Sequence, residues 1–143
     1  VGVLGITVLT SVSAADAAAA GLHVDPAGGL QGLVLRRAQL ARQAGCAGIV
    51  CSGLEVRAVK AQMGRGFLVV TPGIRPAWAA GGADDQARLA TPTEALAAGA
   101  DYLVIGRPIR DARDPRTAAQ RIAAEIEAFQ ASGGLRADRP SSV

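Results

Sequence analysis

Val70-Thr71-Pro72-Gly73-Ile74-Arg75-Pro76, joined about thirty residues later by Tyr102-Leu103-Val104-Ile105-Gly106-Arg107-Pro108, is the stretch on which the fold turns. Each half is a short apolar run that breaks abruptly into Pro, Gly and Arg. Two further runs share the texture of the apolar parts, Val3 to Leu9 and Gly48 to Cys51, and Phe67 to Val70 leads into the first stretch. These runs are continuous rather than alternating, and they are rich in β-branched residues. That pattern suits strands buried on both faces, as in a parallel sheet.

Between the runs lie helical patterns. Leu30 to Gln43 sets Leu30, Leu33, Val34, Ala38 and Ala41 on one stripe, with Gly45 as its stop. Glu55 to Met63 offers Val56, Val59 and Met63. Thr91-Pro92-Thr93-Glu94 is a capping box with proline in the first turn, and Gly99 ends the short helix that follows. Asp114-Pro115 opens a last helix with Ala118, Ile122, Ile126 and Phe129 as its apolar stripe. Four strands alternating with helices predict β-α units with right-handed crossovers. Such a chain is either a small open sheet or half of an eight-stranded barrel. A dinucleotide-binding sheet would need G-x-G-x-x-G after its first strand, and Gly2 to Gly5 lacks it. Residues 1–131 read as one domain of four β/α units, and 132–143, rich in Gly, Arg and Ser, as a disordered tail.

Composition narrows the function. Half of the 143 residues are hydrophobic, but only 3% are aromatic, so Ala, Val, Leu and Ile must build the core. The net charge of +3 is mild and its arginines are dispersed, with Arg36-Arg37 the only adjacent pair. Without aromatics beside them they make no stacking surface for nucleic acid. A basic surface or a site for a small anion accounts for the charge. Cys46 and Cys51 have no C-x-x-C spacing, and His23 is the only histidine, so no metal site is expected. His23 reads as an exposed connection residue, Cys51 as a buried strand residue, and cytoplasm is the expected compartment. Val1 to Val12 is apolar and Ser13-Ala14-Ala15 has the small residues of a signal-peptidase site. There is no basic segment before it, the run is too short to span a bilayer, and its Gly and Thr residues favour a strand. With no initiating methionine, the chain is expected to begin inside a longer gene product.

Polar groups gather at three predicted strand ends: Thr10-Ser11, the Pro72 to Pro76 segment with the loop carrying Asp84-Asp85-Gln86, and Gly106-Arg107. In β/α barrels the C-terminal strand ends carry function. At Gly106 the backbone can approach a phosphate, and Arg107 adds a charge-assisted, bidentate contact. The same residues would equally make a tight Gly-Arg-Pro turn with a solvated arginine.

VTPGIRP at 70–76, Gln86, and Tyr102 to Pro108 together resemble bacterial orotidine 5'-phosphate decarboxylases. Thr7 to Ser11 is similar to that family's fifth-strand segment and Gly48 to Ser52 to its sixth. Thr91-Pro92 and Ala98 to Asp101 fit the approach to its eighth. The likeness runs from about Val3 to Phe129. It implies a (β/α)8 barrel of which this chain holds the last four units. The implied lyase converts orotidine 5'-phosphate to UMP in pyrimidine biosynthesis, without cofactor or metal, as a homodimer. Carried over by position, Thr10 contacts the pyrimidine, while Arg75, Gln86, Gly106 and Arg107 hold the phosphate end, Gln86 bridging toward the base. The loop from Pro76 to Arg88 would be a lid hinged at Gly81-Gly82, with Asp84 and Asp85 solvated on it.

The resemblance begins near the fifth strand. The family's alternating array of catalytic lysines and aspartates, from its second and third strands, has no counterpart here. Lys60 is the chain's single lysine, and helical period points it outward. The chain is thus expected to be an inactive fragment with two open sheet edges. Two rival readings remain: a related barrel acting on ribulose-type sugar phosphates, and a non-catalytic nucleotide-binding module.

Overall fold

A computed structural model describes residues 1–24, 28–79 and 88–134. Four strands, β1 (Leu4–Ile6), β2 (Gly48–Val50), β3 (Leu68–Thr71) and β4 (Tyr102–Leu103), form one sheet in the order β1-β2-β3-β4. All three pairings are parallel. Six helices accompany them: α1 (Ala14–Ala19), α2 (Gly29–Gln43), α3 (Val56–Met63), α4 (Pro92–Ala98), α5 (Arg107–Arg110) and α6 (Pro115–Ala131). β1, β2 and β4 are shorter than their apolar runs because ladder pairing ends before the apolar residues do, while β3 extends one residue past its run to Thr71. Thr7 still donates its amide to the Val50 carbonyl at 3.2 Å and its hydroxyl to the same oxygen at 2.7 Å.

The helix starts follow local chemistry. Thr91 accepts from the Glu94 amide while the Glu94 carboxylate accepts from the Thr91 amide, so both unpaired donors of the first turn are satisfied. Asp114 caps α6 by accepting from the Arg116 and Thr117 amides. Helix α1 is an addition to the sequence expectation. Its signal was present as Ser13 and Asp16, a second capping box, in the segment that also resembles a signal-peptidase site.

The strands present two unlike faces. Gly5, Ile49 and Val69 lie in register on one side, and the last two are fully buried under the helices. This side meets Leu33, Val34, Ala38, Val56, Val59 and Met63, from the predicted stripes of α2 and α3. On the other side Ile6, Val50, Val70 and Tyr102 lie in register. Among the described residues no helix covers them: Ile6 is 62% exposed, Tyr102 57% and Val104 52%. Gly48 also lies on this side, and a Cβ there would stand 2.2 Å from the Leu68 carbonyl oxygen, so only glycine permits the β2–β3 approach.

Lys60 corrects the sequence expectation. It does not point outward: its side chain is 11% exposed. Its Nζ donates to the carbonyls of Arg65 (3.0 Å) and Phe67 (2.8 Å) and to the Asp101 carboxylate (2.6 Å). Asp101 also accepts from the Val69 amide at 2.7 Å. Helical period treats α3 as isolated, whereas the turn leading into β3 folds back over its last turn. This cluster pins the starts of β3 and β4, the stability end of a β/α unit.

Two outcomes follow. Lys60→Ala strips three acceptors of their donor and should destabilise the chain by about 1–3 kcal/mol, read from the urea midpoint. The bare sheet face should drive self-association, so the 143-residue chain should elute from size exclusion ahead of a monomer. Ile6→Asp with Tyr102→Asp should restore monomer elution; a compact monomer from the unaltered chain would contradict this.

Candidate functional site

Of the sequence-predicted residues, Thr10, Arg75, Gly106 and Arg107 follow the C-terminal ends of β1, β3 and β4 at one end of the sheet. Thr10 follows β1 in a turn and is 7% exposed. It lines a cavity of about 290 Å³ with Ile6, Val8, Leu9, Ser11, Val50 and Pro72. Ile6 and Val50 belong to the uncovered sheet face, so this cavity opens on that side. Its apolar walls and single buried hydroxyl suit a flat, partly polar ring. A shallower cleft of about 410 Å³ lies between α2 and α3, lined by Gln39, Arg42, Gln43, Gln62 and Met63. It holds none of the strand-end groups.

Past β3, Pro72 and Gly73 turn the chain, Gly73 with φ of +73°, a conformation that favours glycine. Ile74 then pairs with Ala90 in a parallel bridge. The Arg75 amide donates to the Ala90 carbonyl at 2.8 Å, which fixes the backbone that carries the half-buried Arg75 side chain. Past β4, Gly106 is exposed and precedes α5, whose first residue is the half-buried Arg107. That four-residue helix was not foreseen, although Pro108 in its first turn is a recognised start signal. The Ile109 and Arg110 amides both return to the Gly106 carbonyl at 3.0 Å.

The Asp111 carboxyl is held below its usual range, first by its hydrogen bond from Arg110 and then by the charges of Arg110, Arg107 and Arg75. Arg75 and Arg107 stand four residues past Thr71 and Leu103, a paired position of β3 and β4, so the ends of these neighbouring strands each carry a cation. Gln86, Asp84, Asp85 and the Gly81-Gly82 pair lie outside the described residues, as does the tail from 135 onward. His23 is exposed, as expected. Among the described residues, no three His, Cys, Asp or Glu side chains gather as a metal site would require.

One residue at this end escaped the sequence reading. Arg88 was placed at the far end of a solvated loop, yet it is 7% exposed and pairs with the equally buried Glu55 at 2.6 Å. Burial pushes the Glu55 carboxyl above its ordinary value, and the Arg88 charge pulls it back only in part. No local pattern in Asp85-Gln86-Ala87-Arg88 or Leu54-Glu55 announces a pair across thirty-three residues. Cys51, just past β2, is buried as expected, and desolvation pushes its thiol up to about 12.

These strand-end groups sit on a framework whose relatives are known. The sequence model of the Orotidine 5'-phosphate decarboxylase / HUMPS family matches residues 2–122. The chain belongs to that family. It is 54% identical over 127 residues to the orotidine 5'-phosphate decarboxylase of Desulfosudis oleivorans, covering 89% of this chain and 51% of the relative. It is 57% identical over 124 residues to that of Anaeromyxobacter sp. strain K, covering 87% and 52%. Among solved structures, the orotidine 5'-phosphate decarboxylase from Lactobacillus acidophilus superposes with a TM-score of 0.66 at 36% identity, over 86% of this chain and 48% of that one. The chain spans about half the length of the curated relatives it matches. Its four-stranded parallel sheet is half of a (β/α)8 barrel, and the uncovered face is the barrel's interior side.

The thiol supplies a test of this packing. Cys51 stays protonated in the folded chain while an unfolded thiol ionises near 9.0. A raised folded pKa means stability is present below the unfolded value and is lost as pH rises through the folded one. Stability should therefore decline between pH 9 and about 12, and Cys51→Ala should flatten that decline in urea titrations.

Proposed function

We propose that this chain is the C-terminal half of an orotidine 5'-phosphate decarboxylase, supplying the phosphate and pyrimidine contacts for conversion of orotidine 5'-phosphate to UMP. The observation that carries this reading is the grouping of Thr10, Arg75, Gly106 and Arg107 at one end of the sheet in a member of that family. Thr10 meets the ring from the floor of its cavity. The backbone at Gly106 and the guanidiniums of Arg75 and Arg107 hold the phosphate. Gln86 bridges from the phosphate toward the base.

The reaction leaves a carbanion on the ring that must be protonated. Lys60 is the chain's one lysine, and it is bound at the opposite end of the sheet. The lysine and carboxylates of the chemical step therefore belong to the other half of the barrel. What this half contributes is binding energy, which closes and orders the site at a distance from the reacting carbon. The intact enzyme is taken to be a cytoplasmic homodimer with no nucleic-acid or membrane partner. Few aromatics support this, and no helix among the described residues is long and apolar enough to cross a membrane. Residues 1–131 are taken as the folded half-barrel.

Calorimetric titration of the 143-residue chain tests the reading. UMP should bind and should outcompete ribulose 5-phosphate; equal affinity for the two would favour a sugar-phosphate barrel instead. Arg107→Ala should weaken UMP binding by about 10- to 100-fold, the loss of one charge-assisted contact. The chain alone should show no turnover of orotidine 5'-phosphate.

A further inference from the structure

We infer that Arg88 is a positioning residue that fixes the spacing between the pyrimidine and phosphate ends of the site. The inference rests on the functional reading above. One guanidinium ties together three strand-end segments that are far apart in sequence. Its Nη1 donates to Glu55, which begins α3 after β2. Its Nη2 donates to the carbonyls of Val8 (3.2 Å) and Leu9 (2.8 Å), immediately before Thr10. Its own carbonyl accepts from the Ser52 hydroxyl at 3.3 Å.

The backbone completes the connection. Two residues beyond Arg88, Ala90 donates to the Gly73 carbonyl at 3.3 Å and accepts from the Arg75 amide at 2.8 Å. The path from Thr10 to Arg75 therefore runs through Leu9, the Arg88 side chain and the Ala90 bridge, with a hydrogen bond at each non-covalent step. The other limb of the same loop is held separately, by Arg121 stacked 4.2 Å over the Trp78 ring.

Stability does not require such a pair. Two charges buried together lose about as much hydration as they regain from each other, and an apolar pair of similar volume is often as stable. The planar arginine fork does what an apolar pair cannot: it sets angles and distances to several acceptors at once. Two of those acceptors are backbone carbonyls of the segment that presents Thr10. A shift of about 1 Å between the two ends of a bound nucleotide would weaken its grip without changing either end.

Two variants test this, Arg88→Lys and the apolar pair Glu55→Leu with Arg88→Met, each checked for folding by circular dichroism. Lysine keeps the charge without the fork; the apolar pair keeps the volume. In the folded variants, UMP affinity should fall about tenfold or more while inorganic phosphate binds within about twofold of the unaltered chain. Amide exchange at Thr10 and Arg75 should quicken, and that readout needs no ligand. A folded apolar pair with unaltered UMP affinity and unaltered exchange overturns the inference. Absence of UMP binding by the unaltered chain would instead overturn the functional reading, with amide exchange still deciding the role of Arg88.

Discussion

A parallel sheet requires apolar cover on both faces, and in this chain one face has it. Ile49 and Val69 are sealed beneath α2 and α3, while Ile6 and Tyr102, in register on the opposite side, stand open. The rest of the structure follows from that asymmetry. It puts the core under the helices and leaves the uncovered strand side as the surface on which a cavity meets Thr10 among the described residues. Among the described residues, the helix-to-sheet contacts join α2 and α3 to strands of this same chain.

The two ends of the sheet are pinned by different chemistry. At the strand starts, Lys60 gathers two carbonyls and Asp101 in a cluster far from any ligand group. At the strand ends, Arg88 gathers Glu55 and two carbonyls directly beside the cavity. Each cation donates both to a carboxylate and to two backbone carbonyls. The first holds the scaffold, while the second holds the scaffold where geometry matters to a nucleotide. That division follows the barrel rule that separates stability at one face from function at the other.

Much of this was legible. Continuous apolar runs marked all four strands, and the Thr91 and Asp114 caps marked two helix starts, because these are local preferences acting over four or five residues. The Ser13–Asp16 box was equally local and was obscured by a competing pattern of small residues. Lys60 was misread because helical period knows nothing of the turn that folds over it. Glu55 and Arg88 carried no signal, since neither spacing nor composition relates residues thirty-three apart.

The amino-acid order alone determined the four strands and the helices α2, α3, α4 and α6, that the strands run parallel, and which strand ends carry cations and glycine. Those properties depend on periodicity and turn chemistry within a few residues. Only the tertiary structure decided that Thr10 is buried beside a cavity and that Arg88 bonds to Glu55 and to the Val8 and Leu9 carbonyls. Those facts depend on the crossovers that stack four parallel strands in order and bring their ends to one side, a long-range consequence of burying one sheet face.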